Sequence, residues 1–231
     1  MAANLAQVTL RAYERWAPGY PPLAHNPLMR VEERAMRERW PDVVGTRVLD
    51  SACGSGRYTR QLEQAGARHV VAMDFCVAML ERVTTAHRVC ANMMSLPFAE
   101  AVFDVVISGL ALGHASAVQP WMEEIARVLT PGGTLLYSDF HPEAARAGLT
   151  RSFKDQYNQT CTVPHQCFDP HLQREAIARA GMQIEIMHEV RVGDELREPF
   201  AHSDNFYSRW HGLPIVLIVR ARKLVPPNTN I

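Results

Sequence analysis

The sequence lacks the features that mark secreted and membrane proteins. Its five cysteines form no Cys-x-x-Cys pair and are odd in number, which predicts reduced thiols rather than a disulfide framework. No apolar run approaches the roughly 20 residues of a membrane-spanning helix, and the first residues lack the basic start and apolar core of a secretion signal. We therefore expect a soluble, unprocessed, cytoplasmic protein.

An excess of charge of either sign is also missing. The chain carries 24 Lys and Arg against 24 Asp and Glu, a formal net charge of +0. Proteins that bind nucleic acids or acidic membranes have broad basic surfaces, so this balance argues against both kinds of partner. There is no internal repeat or low-complexity linker, and 231 residues with 47% hydrophobic content suffice for one core. We expect a single domain over residues 1–231, as a monomer or homodimer.

The stretch of residues 47–61, R-V-L-D-S-A-C-G-S-G-R-Y-T-R-Q, predicts a nucleotide-binding turn. An apolar strand end, a turn of small residues and a helix start follow one another in it. Gly54 and Gly56 let the backbone approach a ligand, and the helix start offers unpaired N–H groups. Dinucleotide folds use the related pattern G-x-G-x-x-G, but here the third glycine position is Thr59. This disfavours a nicotinamide-dependent oxidoreductase.

Strand-like and helix-like segments alternate along the chain, which predicts a parallel sheet with helices on both faces. Strands are predicted over residues 69–74, 88–91, 103–109, 134–139, 182–190 and 214–222, and helices over 5–16, 27–40, 77–85, 121–129 and 171–180. In the helix over 27–40 we interpret the charged residues as a solvated surface and the stripe of Leu28, Val31 and Ala35 as packing.

Five segments, taken together, carry a family resemblance. In order along residues 48–136 they are V-L-D-S-A-C-G-S-G, V-V-A-M-D-F, N-M-M-S-L-P-F, F-D-V-V-I-S and R-V-L-T-P-G-G-T-L-L. With this order and spacing the chain resembles a class I S-adenosylmethionine-dependent methyltransferase, most closely the small-molecule branch with enzymes of quinone, biotin-precursor and natural-product biosynthesis. The resemblance implies an α/β, Rossmann-like fold: a seven-stranded, mostly parallel sheet with helices on both faces and an antiparallel last strand.

The resemblance also implies the organisation and the activity. Residues 1–40 would form an N-terminal helical arm, 41–140 the cofactor-binding half and 141–231 the acceptor-side half. The implied cofactor is S-adenosyl-L-methionine and the implied partner a small-molecule acceptor, methylated on a hydroxyl or carboxylate oxygen. N- or C-methylation and a catalytically silent cofactor-binding regulatory subunit are the alternatives. Neutral charge and the lack of an Asn-Pro-Pro-Tyr-type tetrapeptide after the fourth strand disfavour a nucleic-acid or protein methyltransferase.

Several residues are expected to bind the cofactor. Asp74 would accept two hydrogen bonds from the ribose diol, or alternatively serve as a charge at the next helix N-terminus. Asp50 would either fix the turn or meet the methionine amino group, and Asn92 would contact adenine through its carbonyl or its NH₂. Ala52 stands where the family often has a glycine and disfavours positive φ. The full expected set is Tyr13, Tyr20, Asp50, Ala52, Cys53, Gly54, Gly56, Asp74, Phe75, Met79, Asn92, Met93, Met94, Ser108 and Gly109.

The aromatic residues of the N-terminal arm, A-Y-E-R-W-A-P-G-Y, have two possible roles. The resemblance implies that Tyr13, Trp16 and Tyr20 fold over the cofactor, where an aromatic face stabilises a sulfonium by about 0.5–2 kcal/mol. Alternatively these side chains only dock the arm on the core.

The acceptor is expected beyond the fourth and fifth strands, because ligands of open α/β sheets bind at the carboxyl ends of strands. His114 and His141 are the candidate general bases, with a structural role as the alternative. The candidate substrate-binding residues are Trp16, Asp139, Arg151 and Arg197. The two arginines could pair with a carboxylate or phosphate, within segments 151–168 and 197–210 that would select the acceptor.

A cysteine- and histidine-rich segment lies in the acceptor-side half. Cys161, His165, Cys167 and His171 are potential zinc ligands, but structural zinc sites favour shorter paired spacings. We expect no metal and interpret the segment as a cover over the acceptor.

Overall fold

The computed structural model describes residues 2–85, 87–197 and 206–226. Its strands are β1 (Arg47–Ser51), β2 (His69–Asp74), β3 (Arg88–Cys90), β4 (Phe103–Gly109), β5 (Leu129–Phe140), β6 (Ser152–Lys154), β7 (Thr160–Thr162), β8 (Met182–Arg191) and β9 (Pro214–Lys223). Seven strands form one sheet in the order β3-β2-β1-β4-β5-β9-β8. Strands β1 to β5 are parallel, and β9 is antiparallel to both of its neighbours. The predicted Rossmann-like sheet is confirmed.

Helices pack on both faces of this sheet. They are α1 (Ala2–Trp16), α2 (Pro27–Arg37), α3 (Arg57–Gln64), α4 (Val77–Leu80), α5 (Val118–Val128), α6 (Pro142–Arg146), α7 (Pro170–Arg179) and α8 (Phe206–Trp210). One apolar layer is centred on α5, where Trp121, Met122 and Ile125 are fully buried. The second apolar layer packs Met36 of α2 and Leu62 of α3 against the other face of the sheet. Within the described ranges no helix has the length and apolar content needed to cross a bilayer.

The central strand β1 illustrates why the sequence folds this way. Because helices cover both faces of a parallel sheet, its strands are continuous apolar runs rather than alternating ones. Val48 and Leu49 are both 0% exposed although they point to opposite faces. Helix α2 begins where Asn26 accepts a hydrogen bond from the Met29 backbone N–H at 2.9 Å, with Pro27 in the first turn.

Two parts of the chain differ from the sequence-based prediction. Helix α4 ends at Leu80 rather than near residue 85. The β-branched residues 83–85, V-T-T, disfavour its continuation, and Arg88 Nη1 donates to the carbonyls of Leu80 (3.3 Å) and Val83 (3.4 Å). The β6–β7 hairpin was not predicted. Its strands have three residues each, too short for a recognisable alternation, and Phe153 secures it by packing on α1.

Candidate active site

A cavity of about 540 Å³ opens at the carboxyl ends of the parallel strands. Small-molecule sites commonly have volumes of about 300–1,000 Å³, so the size suits an organic ligand. One wall, which we call the donor wall, consists of the turn after β1 and the ends of β2 and β3. It contains Gly54, Asp74, Phe75 and Asn92. Residues from α1, α2 and the segments after β4 and β5 line the other side.

Gly54 presents bare backbone to the cavity. Its φ is +56°, and a Cβ added there would meet no atom within 4 Å. The positive φ favours glycine at this position. Packing does not require it, because an added side chain would enter the open space of the cavity. Gly56 differs, since its added Cβ would lie 3.1 Å from Val83 and it does not line the cavity. Of the two glycines predicted to approach a ligand, the structure brings only Gly54 to the cavity.

Ala52 occupies the left-handed region in the same turn, with φ +57°. An L-residue in this conformation is strained by roughly 1–2 kcal/mol relative to glycine. Ala52 thus adopts the positive φ that its side chain disfavours, and the turn keeps the backbone conformation that a glycine at this position would have.

The Asp74 carboxylate joins the turn to the next helix. Oδ2 accepts from the Gly54 backbone N–H and Oδ1 from that of Cys76, both at 2.8 Å. Burial raises the pKa of Asp74 above its ordinary value, while the backbone donors oppose this shift. A carboxylate can accept about four hydrogen bonds, so Asp74 keeps acceptor capacity on the cavity side while it organises the start of α4.

Asp50 lines the cavity from below the turn. Its Oδ2 accepts from the hydroxyl of Thr59 at 2.6 Å. Burial raises the pKa of Asp50 to about 6, against the effect of the Thr59 hydrogen bonds. The residue that replaces the third glycine of a dinucleotide pattern, Thr59, therefore anchors this carboxyl.

The loop after β3 completes the donor wall. Asn92 Oδ1 accepts from the Met94 backbone N–H at 2.9 Å, which directs the side-chain NH₂ away from that bond. Met93 lines the cavity, and Met94 instead packs on the core below it. Asn92 can therefore offer both a donor and a remaining acceptor lone pair to a ligand.

Most of the expected cofactor-binding residues come together. Those lining the cavity are Tyr13, Tyr20, Asp50, Ala52, Cys53, Gly54, Asp74, Phe75, Met79, Asn92, Met93 and Gly109. Ser108 does not, because its hydroxyl donates to Ser51 O at 2.9 Å and joins β4 to β1. Gly109 lies at the cavity, but a Cβ there would approach Tyr58 to 2.5 Å, so packing alone already requires glycine.

Helix α1 and the β6–β7 hairpin, which we call the lid, cover the cavity together. Trp16 stacks on Phe153 with centroids 4.5 Å apart and an interplanar angle of 6°. Tyr20 meets Trp16 edge-on at 4.6 Å, and Arg15 Nε donates to Asp155 at 2.9 Å. Tyr13, Trp16 and Tyr20 all line the cavity. The arm aromatics therefore both dock the lid and face the ligand space.

Three polar side chains, which we call the Arg151 cluster, meet inside the cavity: Tyr13, His114 and Arg151. Arg151 Nη1 lies 2.6 Å from His114 Nε2 and donates to the Tyr13 hydroxyl at 2.9 Å, while Nη2 donates to Leu110 O at 2.7 Å. The Tyr13 hydroxyl is also 3.0 Å from His114 Nε2. Burial, and then the charge of Arg151, hold the pKa of His114 well below its ordinary value.

The structure does not bring the other acceptor-side candidates into the cavity. His141 is 3% exposed and caps α6, with Nδ1 accepting from the Glu143 N–H at 3.3 Å and Nε2 lying 3.5 Å from Glu189. Asp139 lies behind the turn that carries His114, where it accepts from the Gly113 N–H at 3.3 Å. Arg197 is exposed, 5.6 Å from the ring centroid of Tyr207.

Two further sequence-based predictions concern the same half of the chain. Of the segment 197–210, residues 198–205 lie outside the described residues. Within the described part of the chain, no group of three or more His, Cys, Asp or Glu side chains is arranged to hold a metal ion.

A buried ion pair beside the cavity was missed and corrects the interpretation of α2. Glu32 is 0% exposed. It accepts from Arg57 Nη2 (2.8 Å) and from the hydroxyls of Tyr58 (2.8 Å) and Ser138 (2.6 Å). The prediction of a fully solvated charged face was therefore wrong at this position. The packing roles of Val31 and Ala35 are confirmed, since both are buried in the core.

Other cavity residues also escaped the sequence analysis: Asn26, Ser55, Leu110, Phe140, Leu149, Trp210 and Ile215. The pattern G-R-Y that follows the turn could have drawn attention to Arg57 and Tyr58, since both begin the helix at the ligand site. Ser55 lies in the predicted turn, Leu110 and Phe140 stand at the ends of β4 and β5, and Trp210 ends the segment 197–210. Asn26, Leu149 and Ile215 carry no local signal, because they reach the cavity only through the packing of distant segments.

The comparisons with known proteins agree with this geometry. Residues 49–137 match the family described as a methyltransferase domain. This match and the fold confirm the resemblance to class I S-adenosylmethionine-dependent methyltransferases.

The curated relatives are methyltransferases of different kinds. The chain is 34% identical over 149 residues to malonyl-acyl-carrier-protein O-methyltransferase of Enterobacter lignolyticus, covering 61% of this chain and 58% of the relative. It is 36% identical over 115 residues to demethylmenaquinone methyltransferase of Corynebacterium urealyticum, covering 48% and 49%. The chain thus spans about half to three fifths of the length of these relatives.

Solved structures share the fold. An S-adenosylmethionine-dependent methyltransferase of Mesorhizobium loti superposes with a TM-score of 0.67 at 24% identity, covering 84% of this chain and 98% of that one. Geranyl diphosphate C-methyltransferase of Streptomyces coelicolor, solved with S-adenosyl-L-homocysteine, gives 0.66 at 15% identity, covering 85% and 79%.

Proposed function

We propose that this protein transfers the methyl group of S-adenosyl-L-methionine to an oxygen of a small-molecule acceptor, either a hydroxyl or a carboxylate. The observation that carries the proposal is the donor wall. A glycine with bare backbone, a carboxylate and an amide stand along one side of a cavity, at Gly54, Asp74 and Asn92. A monomer or homodimer in the cytoplasm is the state that we propose for it.

The donor wall fits the parts of this cofactor. Asp74 retains lone pairs for a ribose diol, Asn92 offers a donor and an acceptor for an adenine edge, and Gly54 leaves space for the chain between them. The bound cofactor would supply a methyl group on a positively charged sulfur, which is already a good leaving group. The contribution of the protein is then chiefly positioning, which can account for about 7–11 kcal/mol of a barrier.

Oxygen as the acceptor atom is supported by the relatives. Several of them are named malonyl-acyl-carrier-protein O-methyltransferases, from different bacteria. Others are named demethylmenaquinone methyltransferase and 24-methylenesterol C-methyltransferase, which keeps methylation of carbon as the alternative.

A catalytically silent, cofactor-binding subunit is the second candidate. One solved structure with this fold, at a TM-score of 0.70, is a methyltransferase in complex with an activator protein. The fold alone does not decide between turnover and a partner-dependent role, because one scaffold serves many functions.

Two measurements test the proposal. In a thermal-shift scan, S-adenosyl-L-homocysteine should raise the unfolding midpoint, whereas NAD and NADP should leave it unchanged. Only a ligand that prefers the folded state stabilises that state. Transfer of labelled methyl to a panel of carboxylates, phenols, alcohols and amines should then give product with oxygen acceptors. A shift with NAD alone would refute the donor assignment, and cofactor binding without turnover on any acceptor would favour the silent subunit.

A further inference from the structure

The part of the cavity away from the donor wall is an apolar chamber. In the sheet order, β4, β5 and β9 lie on the opposite side of β1 from β2 and β3, and so do the cavity residues that follow them. The chamber is lined by Leu28, Leu110, Phe140, Leu149, Trp210 and Ile215. Binding of an apolar group against such a surface is favourable by about 25 cal/mol per Å² of apolar area removed from water.

The cation of Arg151 projects into this chamber. The Arg151 guanidinium stacks over the Phe140 ring at 4.7 Å and donates to neutral groups only, namely His114, Tyr13 and Leu110 O. No carboxylate of the described residues forms an ion pair with it. A guanidinium has five N–H groups, and three are used in these bonds. An arginine inside an apolar chamber with unused donors is a receptor for an anion, because a carboxylate matches its fork.

His114 is not available as a base in this arrangement. Arginine has no lone pair to offer, so the 2.6 Å approach of Arg151 Nη1 makes His114 Nε2 the acceptor and places the imidazole proton on Nδ1. Burial and the neighbouring cation also keep this imidazole neutral. A hydroxyl acceptor would have to lose a proton to such a base during transfer. A carboxylic acid does not, because it is already ionised near neutral pH.

We propose that the methyl acceptor is a carboxylic acid with an apolar body, held as the carboxylate by Arg151 and Tyr13, and that His114 is a positioning residue for Arg151. The proposal rests on the proposed function of the same site. Transfer forms an O–CH₃ bond and breaks the S–CH₃ bond, with its electron pair left on the sulfur. The products are a methyl ester and a neutral thioether, and no proton is released.

The decisive test measures acceptor binding rather than turnover. The protein saturated with S-adenosyl-L-homocysteine is titrated by calorimetry with octanoate and phenylacetate, and with the matched octanamide, octanol, phenylacetamide and octyl phosphate. We expect a carboxylate to bind and its amide and alcohol counterparts to bind at least about 10-fold more weakly, as for loss of a hydrogen bond to a charged group. Equal binding of the neutral compounds, tighter binding of the phosphate, or no binding of either carboxylate would overturn the proposal.

Arginine variants assign this selectivity to Arg151. Arg151→Gln should lower carboxylate affinity by about 30-fold and leave S-adenosyl-L-homocysteine affinity within about twofold. The matched control is Arg222→Gln. Arg222 lies on β9, outside the cavity, and pairs with Glu185 of β8. An equal loss of both affinities in Arg151→Gln would show that Arg151 holds the donor and refute the inference. Failure of wild-type protein to bind S-adenosyl-L-homocysteine would instead refute the proposed function.

Histidine variants separate positioning from proton transfer. The Gln carbonyl of His114→Gln can still accept from Arg151, whereas His114→Ala leaves that donor without its partner. We expect His114→Gln to retain carboxylate affinity and most of the methylation rate, and His114→Ala to lose about 10-fold in affinity. A His114→Gln variant that binds the carboxylate normally but no longer methylates it would identify His114 as the base and contradict the proposal.

Discussion

The donor wall and the lid are built from contacts of very different range in sequence. On the donor wall, Asp74 binds the backbone of Gly54, 20 residues earlier, and that of Cys76, two residues later. Around the lid, Tyr13 meets His114 across 101 residues and Arg151 across 138. The contacts of the donor wall thus join residues near in sequence and go largely to backbone atoms. The contacts around the lid instead join side chains from distant segments.

This difference has a physical origin. A carboxylate next to a turn finds backbone donors wherever the turn folds, so its partners follow from the local conformation. A bond between residues more than a hundred positions apart forms only after the core has packed, and it depends on the identity of both side chains. We therefore expect the donor wall to tolerate changes in side chains around it and the lid side to depend on particular pairs.

The largest effect is expected from the buried ion pair of Glu32 and Arg57 beside the cavity. Glu32→Ala leaves Arg57 buried without its partner and should lower the free energy of unfolding by about 3–5 kcal/mol. The matched control is Glu33→Ala, which removes the partly exposed second partner of Arg57 and should cost less than about 1 kcal/mol. Urea denaturation of both variants measures the difference. Equal costs would show that burial of Glu32 does not govern this pair.

The next effect concerns the bare backbone of the donor wall. Gly54→Val should weaken S-adenosyl-L-homocysteine binding by roughly 100-fold, because the side chain would enter the space that the ligand needs. Gly45→Val carries the same backbone strain, with φ +71° and no atom within 4 Å of the new Cβ, but lies outside the cavity. Calorimetric titration should find its affinity unchanged. A similar loss in Gly45→Val would attribute the effect to general destabilisation.

A buried carboxyl behind the acceptor side makes stability depend on pH. Burial raises the pKa of Asp139 from 3.8 to about 7, although Arg151 and backbone donors oppose the shift, and its Oδ2 has no partner among the described groups. The other titratable groups that sense it are Tyr137 and Cys167. Between the two pKa values the folded chain keeps a proton that the unfolded chain releases, so stability falls as the pH rises from about 4 to about 7.

Asp139→Asn removes this dependence. The stability of the variant relative to wild type should rise by on the order of 3 kcal/mol between pH 4.5 and pH 8. Asp104→Asn is the matched control of opposite sign, because the hydrogen bonds from Arg47 lower the pKa of Asp104. Removing that carboxylate should cost more at pH 8 than at low pH. Chemical denaturation across the pH range checks both, and parallel curves for Asp139→Asn and wild type would contradict the expectation.

The smallest effect tests strain in the donor turn. Ala52→Gly should raise the free energy of unfolding by about 0.5–1 kcal/mol, since relief of the positive φ exceeds the added flexibility of the unfolded chain. Ala101→Gly, with φ +54° outside the cavity, should gain a similar amount. A gain at Ala101 without one at Ala52 would show that the Ala52 methyl group contributes compensating packing against the core.

The fold and the donor wall could be predicted from the sequence more completely than the acceptor side of the cavity. Gly54, Asp74 and Asn92 were found because each follows a recognisable strand and stands at a motif position. His141 looked equivalent to His114, since both follow core strands, but their side chains lie in different places. His141 caps a short helix under Glu189. The short hairpin that carries Phe153 has too few residues to leave a pattern.

The sequence by itself determined the order of the seven strands of the main sheet and the glycine-containing turn of the donor wall. Both depend on hydrophobic periodicity and local backbone conformation, which a linear pattern records. Only the tertiary structure decided that Glu32 is buried with Arg57, and that Tyr13, His114 and Arg151 meet in one apolar chamber. The reason is that a side chain acquires its neighbours, its exposure and its pKa from packing between distant segments, and the surrounding residues of the chain do not encode these.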